Sequence, residues 1–255
     1  MNHPIDTRKR RIGFSAIPVV LLLLGSALFF YASDRTEGAQ TPAGVSSSVR
    51  AAAENGAERQ APPATVRKVM IDPGHGGHDP GTTGVDGHEE RDVNLSIALK
   101  LYEILQADPR FDVRLTRSDD TFVELEDRSA MANEWPADAL LSIHGNSFTD
   151  ESVSGTETYY EHENGMPLAQ AVHDAVVETM GFKDRGVREN QLQVLSLSEV
   201  PSALVEVGYL TNAGQEAALR SEEGGRRAAQ AIAEGLKRYF GLSGEDVDGN
   251  GNDPR

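Results

Sequence analysis

The stretch Val69 to Gly84, VMIDPGHGGHDPGTTG, sets two histidines, His75 and His78, among glycines and prolines directly after a short apolar run. Glycines at such a place permit positive backbone angles and let the main chain approach a ligand closely. Further along, His144 follows the apolar run ALLSI, and Glu206 stands between Val205 and Val207. A carboxylate between valines is costly to bury without a partner or a chemical task. The glycine-rich loop closes on His88-Glu89-Glu90, just ahead of a helical pattern, and so brings further candidates. Two histidines and one carboxylate, with a fourth position open, form the donor set of a catalytic zinc site. The 255 residues include no cysteine, so any transition metal must be held by histidine and carboxylate. Each residue also has a plainer reading: a histidine after a strand as a hydrogen-bonded loop residue, Glu206 as the partner of an arginine. The loop has neither the G-x-G-x-x-G spacing of a dinucleotide site nor the GK of a phosphate loop.

The elements that would position these groups alternate in type. Lys68 to Ile71 reads as a short strand, and Val93 to Gln106 as a helix with its stripe at Ile97, Leu101, Ile104 and Leu105. Phe111 to Thr116 is a strand, Leu125 to Asn133 a helix, and Ala139 to Ile143 a strand. A strand over Gly155 to Tyr160, a helix from Pro167 to Met180, strands near Val194 and over Ala203 to Val207, and a last helix to Phe240 complete the block. This order predicts an α/β fold: a mainly parallel twisted sheet with helices on both faces, forming a single catalytic domain over 66–242. Ligand sites in such sheets gather at the carboxyl ends of strands, where His75, His144 and Glu206 would converge.

The flanking segments have different chemistry. Residues 1–11 end in the basic cluster Arg8-Lys9-Arg10-Arg11, and 12–33 form an almost uncharged apolar run. As a helix that run spans roughly 33 Å, the thickness of a bilayer core. It reads as a transmembrane signal anchor rather than a cleaved signal peptide, because Phe29-Phe30-Tyr31 closes the run without a small-residue cleavage site. The basic cluster would stay in the cytoplasm, placing the rest outside the cytoplasmic membrane, in periplasm or cell wall. Residues 34–65, rich in Ala, Ser, Gly, Pro and charge, read as a flexible linker. Residues 243–255 read as a disordered acidic tail; Asp246, Asp248, Asn250 and Gly251 have the front-half spacing of a calcium loop, but no twelfth-position glutamate follows. The formal net charge of -16 argues against a nucleic-acid partner, which would need clustered Lys and Arg.

The motifs VMIDPGHGGHDPGTTG, EERDVNLSIALKL, LTRSDDTFVELEDR, LLSIHGNS, SGTETYY and PSALVEVGYLTN occur in an order that resembles the zinc-dependent N-acetylmuramoyl-L-alanine amidases of bacterial cell walls. The resemblance covers about Val66 to Phe240. It implies that His75, Glu90 and His144 bind one zinc ion and that Glu206 is the catalytic carboxylate. Glu90 is selected over Glu89 because the family's glutamate stands two residues before Asp92. His78 and His88 occupy variable positions and read as loop residues.

The implied reaction is zinc-assisted hydrolysis of the amide between the lactyl group of N-acetylmuramic acid and the L-alanine of the peptidoglycan stem peptide, with Glu206 moving the proton. Gly145 replaces the usual Ala beside His144, from which local loosening is expected. Ser196 stands where many relatives have Arg, a change that could alter substrate contacts. Only EHENGM separates Tyr160 from Pro167, too little for the blocking helix that regulated relatives insert there. Two other readings remain at this point: another zinc hydrolase, such as a peptidase or deacetylase, and a wall-binding protein with a dead site. No activator protein is indicated.

Overall fold

Runs of consecutive apolar residues build the centre of the sheet. In the computed structural model, which describes residues 65–243, Val69, Ile71, Leu141, Ile143, Val205 and Val207 belong to one buried cluster, and Met70, Leu140 and Leu204 to a second. Successive strand residues point to opposite faces, so a run apolar at every position has two faces to cover. The central strands are β1 (Arg67–Pro73), β3 (Ala139–Asn146) and β6 (Ser202–Tyr209); β2 (Phe111–Leu115), β4 (Thr156–Tyr160) and β5 (Asp184–Glu189) lie outside them. The spatial order is β2-β1-β3-β6-β4-β5.

Helices α1 (Glu90–Gln106), α3 (Met166–Met180) and α6 (Glu222–Tyr239) cover the larger cluster. The seam between α3 and α6 is tight because Gly235 has no side chain: a Cβ there would lie 2.6 Å from Val172 Cα. On the opposite face, α2 (Leu125–Glu134) and α4 (Gln193–Ser196) contribute Ala132, Val194 and Leu195 to the smaller cluster. The remaining helix, α5 (Ala213–Arg220), follows β6.

The expected mainly parallel sheet with helices on both faces is found, with one qualification. Strands β2, β1, β3 and β6 run parallel, whereas β4 is antiparallel to β6 and carries β5 parallel to itself. The connection from β3 to β4 contains no helix, so the chain re-enters at the end it left and runs back.

Two sequence expectations are corrected. The strand expected near Val194 is a short helix there, and the strand lies earlier, at Asp184–Glu189. The single last helix is two, divided at Ser221, whose hydroxyl accepts from Gly224 N at 2.9 Å and starts α6 anew. Among the described residues, no helix is long and apolar enough to cross a membrane. The anchor (12–33), the basic segment (1–11), the linker expected over 34–65 as far as residue 64, and the acidic tail beyond Ser243 lie outside the described residues.

Candidate metal centre

Three elements bring His75, Glu90 and His144 together. His75 lies two residues beyond β1 with φ 62°, in the left-handed region that a non-glycine residue enters only when its surroundings hold it there. Two buried arginines supply that hold. Arg128 donates to Pro73 O at 2.9 Å and His75 O at 2.8 Å, and to Asp72 Oδ1 at 2.9 Å. Arg117 donates to Pro73 O at 2.9 Å and to Gly74 O at 2.8 Å. Asp72, fully buried, also accepts from Thr116 and Ser142 hydroxyls at 2.6 Å each. The loop's carbonyls therefore point inward to guanidinium donors, and the His75 ring is turned toward the neighbouring strand.

Glu90 opens α1, where the helix dipole favours a negative group. Its Oε2 accepts from Thr82 N at 2.9 Å, while its own N–H donates to Thr82 O at 2.9 Å. Its Oε1 is the meeting point: His75 Nε2 lies 3.1 Å away, His144 Nδ1 2.9 Å, and Gly145 N and Asn94 Nδ2 each 3.2 Å. One ligand atom from each of the three residues lies within 4.8 Å of the others. On the far side of the His75 ring, Asp79 Oδ2 is 2.7 Å from Nδ1, fixing the orientation that leaves Nε2 inward. Gly74 makes room for the other ring, since a Cβ at residue 74 would overlap the His144 imidazole.

Charge follows geometry. Burial alone would lower the His75 pKa, but hydrogen bonding and attraction to Glu90, then Asp79, outweigh it and raise the group to about 9. Burial opposes ionisation of Glu90, yet the hydrogen bonds from His144 and His75 pull its pKa well below the usual carboxylate range. His144 is likewise raised, burial being outweighed by Glu90 and Glu206. Two ring nitrogens and an ionised carboxylate converging on one point fit a zinc ion with a further position free.

Glu206 sits on β6 directly in register with His144 of β3 on one side and Glu157 of β4 on the other. No arginine pairs with it among the described residues, and its Oε2 is buried without a hydrogen-bond partner. Burial, then repulsion from Glu90 and Glu157, raises its pKa to about 7 against the opposing charges of His144 and His75.

The other sequence candidates lie apart from this cluster. His78 packs on Phe122, ring centroids 4.0 Å apart, and His88 is exposed. Glu89 pairs with Arg91. The loosening expected at Gly145 is not seen, because Leu210 fills the space: a Cβ on residue 145 would lie 2.7 Å from Leu210 Cγ. The Ser196 hydroxyl lies within hydrogen-bond reach of Glu161 and of Leu192 O, with one proton to give to either. Between Tyr160 and α3 the chain makes a single turn, Glu163–Gly165.

Asp72, Asp79, Asn94, Arg117, Arg128 and Glu157 were assigned no role from the sequence. Asp79, four residues after His75, could have been found by its spacing. The arginines stand in the motif LTRSDDTFVELEDR, but the carbonyls they hold lie more than forty positions away, so the motif did not show their targets.

The family model described as N-acetylmuramoyl-L-alanine amidase matches residues 69–238. The chain is 40% identical over 184 residues to the uncharacterised protein YqiI of Bacillus subtilis (strain 168), covering 71% of this chain and 88% of that one. It is 37% identical to the N-acetylmuramoyl-L-alanine amidase LytC of the same organism, covering 70% of this chain but only 36% of LytC. The catalytic domain of CwlV, an N-acetylmuramoyl-L-alanine amidase from Bacillus (Paenibacillus) polymyxa var. colistinus, superposes with a TM-score of 0.68 at 40% identity, over 69% of this chain and 99% of that domain. With its fold, its converging histidines and carboxylates, and matches of this extent, the chain belongs to the N-acetylmuramoyl-L-alanine amidase family.

Proposed function

We propose that His75, Glu90 and His144 hold one zinc ion and that Glu206 is the proton-transferring carboxylate. The reaction is the family's own, hydrolysis of the amide between the lactyl group of N-acetylmuramic acid and the L-alanine of the peptidoglycan stem peptide. The observation that carries the assignment is the register of Glu206 with His144, which sets an unpartnered carboxylate oxygen beside the donor cluster. A zinc ion at the cluster supplies Lewis acidity, lowering the pKa of a water from about 15.7 toward roughly 7 and polarising a carbonyl oxygen.

Glu206 accepts the proton that the attacking water loses as the new C–O bond forms. It then gives that proton to the departing nitrogen as the C–N bond breaks, leaving a carboxylic acid on the lactyl group and an amine on L-alanine; the acid's own proton then passes to the amine, giving a carboxylate and an ammonium group. A carboxylate whose pKa lies near neutrality can do both at neutral pH. Asp79 and Asn94 keep His75 and Glu90 in place, and the two buried arginines keep the loop from relaxing.

The apolar run 12–33 behind a basic cluster supports a location outside the cytoplasmic membrane, with a membrane anchor and a linker of about thirty residues. The deciding experiment is mass spectrometry of purified peptidoglycan digested by the zinc-loaded protein. The expected products are stem peptides with free L-alanine amines and intact glycan. Cleaved peptide bonds or released acetate would point to a peptidase or deacetylase instead.

A further inference from the structure

Strand β5, DRGVRE, carries two arginines three residues apart. In a regular strand residues at i and i+3 point to opposite faces. Here they do not. Thr156 pairs with Asp184 and Thr158 with Val187, so two steps along β4 match three along β5. The extra residue is absorbed at Gly186, whose φ of 89° requires a glycine. Beyond this bulge Val187 turns toward the large core, and Arg188 joins Arg185 on the opposite face. Both then reach the carboxylate of Glu157, Arg185 through Nε and Arg188 through Nη1 at 3.8 Å.

The row therefore reads His144, Glu206, Glu157 and then Arg185, across four neighbouring strands on one face of the sheet; Arg188 pairs with Tyr159, two residues further along β4, and its side chain reaches back to Glu157. Glu157 is buried and accepts from Tyr159, Tyr209 and Arg185, which together outweigh its burial and hold its pKa below the usual range. Arg185 is consumed by this arrangement, its guanidinium 5.4 Å from the Tyr209 ring centroid. Arg188 is not. Its side chain is 52% exposed, anchored at one edge by Glu157 and by a 3.0 Å bond to Arg185 O. Such a pre-oriented guanidinium presents its remaining N–H groups to solvent in a chain whose formal charge is -16.

We propose that Arg188 is a specificity residue that binds a free carboxylate of the stem peptide on the amine side of the scissile bond. The inference rests on the amidase reading. Strands β6 and β5 are two strand spacings apart, roughly 10 Å. An extended peptide covers that distance in about three residues, and the Arg188 side chain reaches back toward β6 as far as Glu157, so the carboxylate is assigned to the second residue of the stem.

The test compares two synthetic muramoyl-tripeptides, both amidated at the C-terminus and identical except that the α-carboxylate of the second residue is free in one and amidated in the other. With zinc-loaded wild type, kcat/KM should favour the free acid by about tenfold through KM, the scale of a charge-assisted hydrogen bond. Arg188→Ala, with wild-type zinc content, should bring the ratio close to one by raising KM for the free acid. Arg188→Lys should restore part of it. Equal cleavage of both substrates by wild type, or a preference that survives Arg188→Ala, overturns the proposal while leaving the amidase reading intact. A zinc-loaded wild type that cleaves neither substrate overturns the amidase reading itself.

Discussion

The His144 ring occupies the space in which any side chain on Gly74 would stand. A proposed zinc ligand on one strand thus depends on a missing Cβ at the end of another. Gly74→Ala should displace the ring and weaken zinc binding by about 10- to 100-fold, the usual scale for a disturbed ligand support. Chelator competition measures this directly. Gly214→Ala is the matched control: a Cβ there meets only Asn212 Oδ1, at 3.4 Å, and zinc affinity should be retained.

The Arg128–Asp72 pair, with side chains 2% and 1% exposed, lies under the loop that carries His75. Arg128→Met should leave a buried carboxylate short of its cation and cost about 3–5 kcal/mol in urea unfolding. Arg238→Ala, at an exposed pair with Glu178, should cost less than about 1 kcal/mol. Similar costs for the two variants would contradict the clamp assigned to Arg128.

In the metal-free protein His75 titrates at about 9, so its ring carries a proton at pH 7. Zinc needs the neutral ring, and loading at pH 7 should release that proton. Apparent zinc affinity therefore rises with pH through about 9, and His144, whose pKa is raised as well, adds to the rise. Calorimetry at pH 7 in two buffers of different ionisation enthalpy would count the proton; identical heats in both would contradict the assignment.

Glu157 raises the pKa of Glu206 by like-charge repulsion. In its proposed role Glu206 must be ionised to accept a proton, so activity falls as pH drops through its pKa. A bound divalent cation lowers that pKa, which puts the acid limb of the loaded enzyme below about 7. Removing the Glu157 charge acts in the same direction, and Glu157→Gln should shift the acid limb further down. A pH–rate profile reads the shift; an upward movement would show that Glu157 does not act through its charge.

Much of this was legible in the sequence because the central strands are apolar at nearly every position and place His75, His144 and Glu206 at or near their carboxyl ends. The edge was not. In DRGVRE only Val187 is apolar, and the bulge at Gly186 breaks the alternation by which a strand is recognised. The segment near Val194 reads as strand because a four-residue helix offers no full helical period. The reversed direction of β4 depends on which end of the sheet a helix-free connection reaches, a tertiary matter. The same holds for Arg117 and Arg128, whose motif was visible while their targets were not.

The central claim is that Glu206 performs proton transfer beside a zinc ion held by His75, Glu90 and His144. Its most direct test is Glu206→Gln, read on one sample by zinc content and by mass spectrometry of digested peptidoglycan. The variant should bind zinc as wild type does and release L-alanine-terminated stem peptides at a rate lower by at least about 100-fold. Zinc-loaded Glu206→Gln releasing those peptides at the wild-type rate would contradict the account.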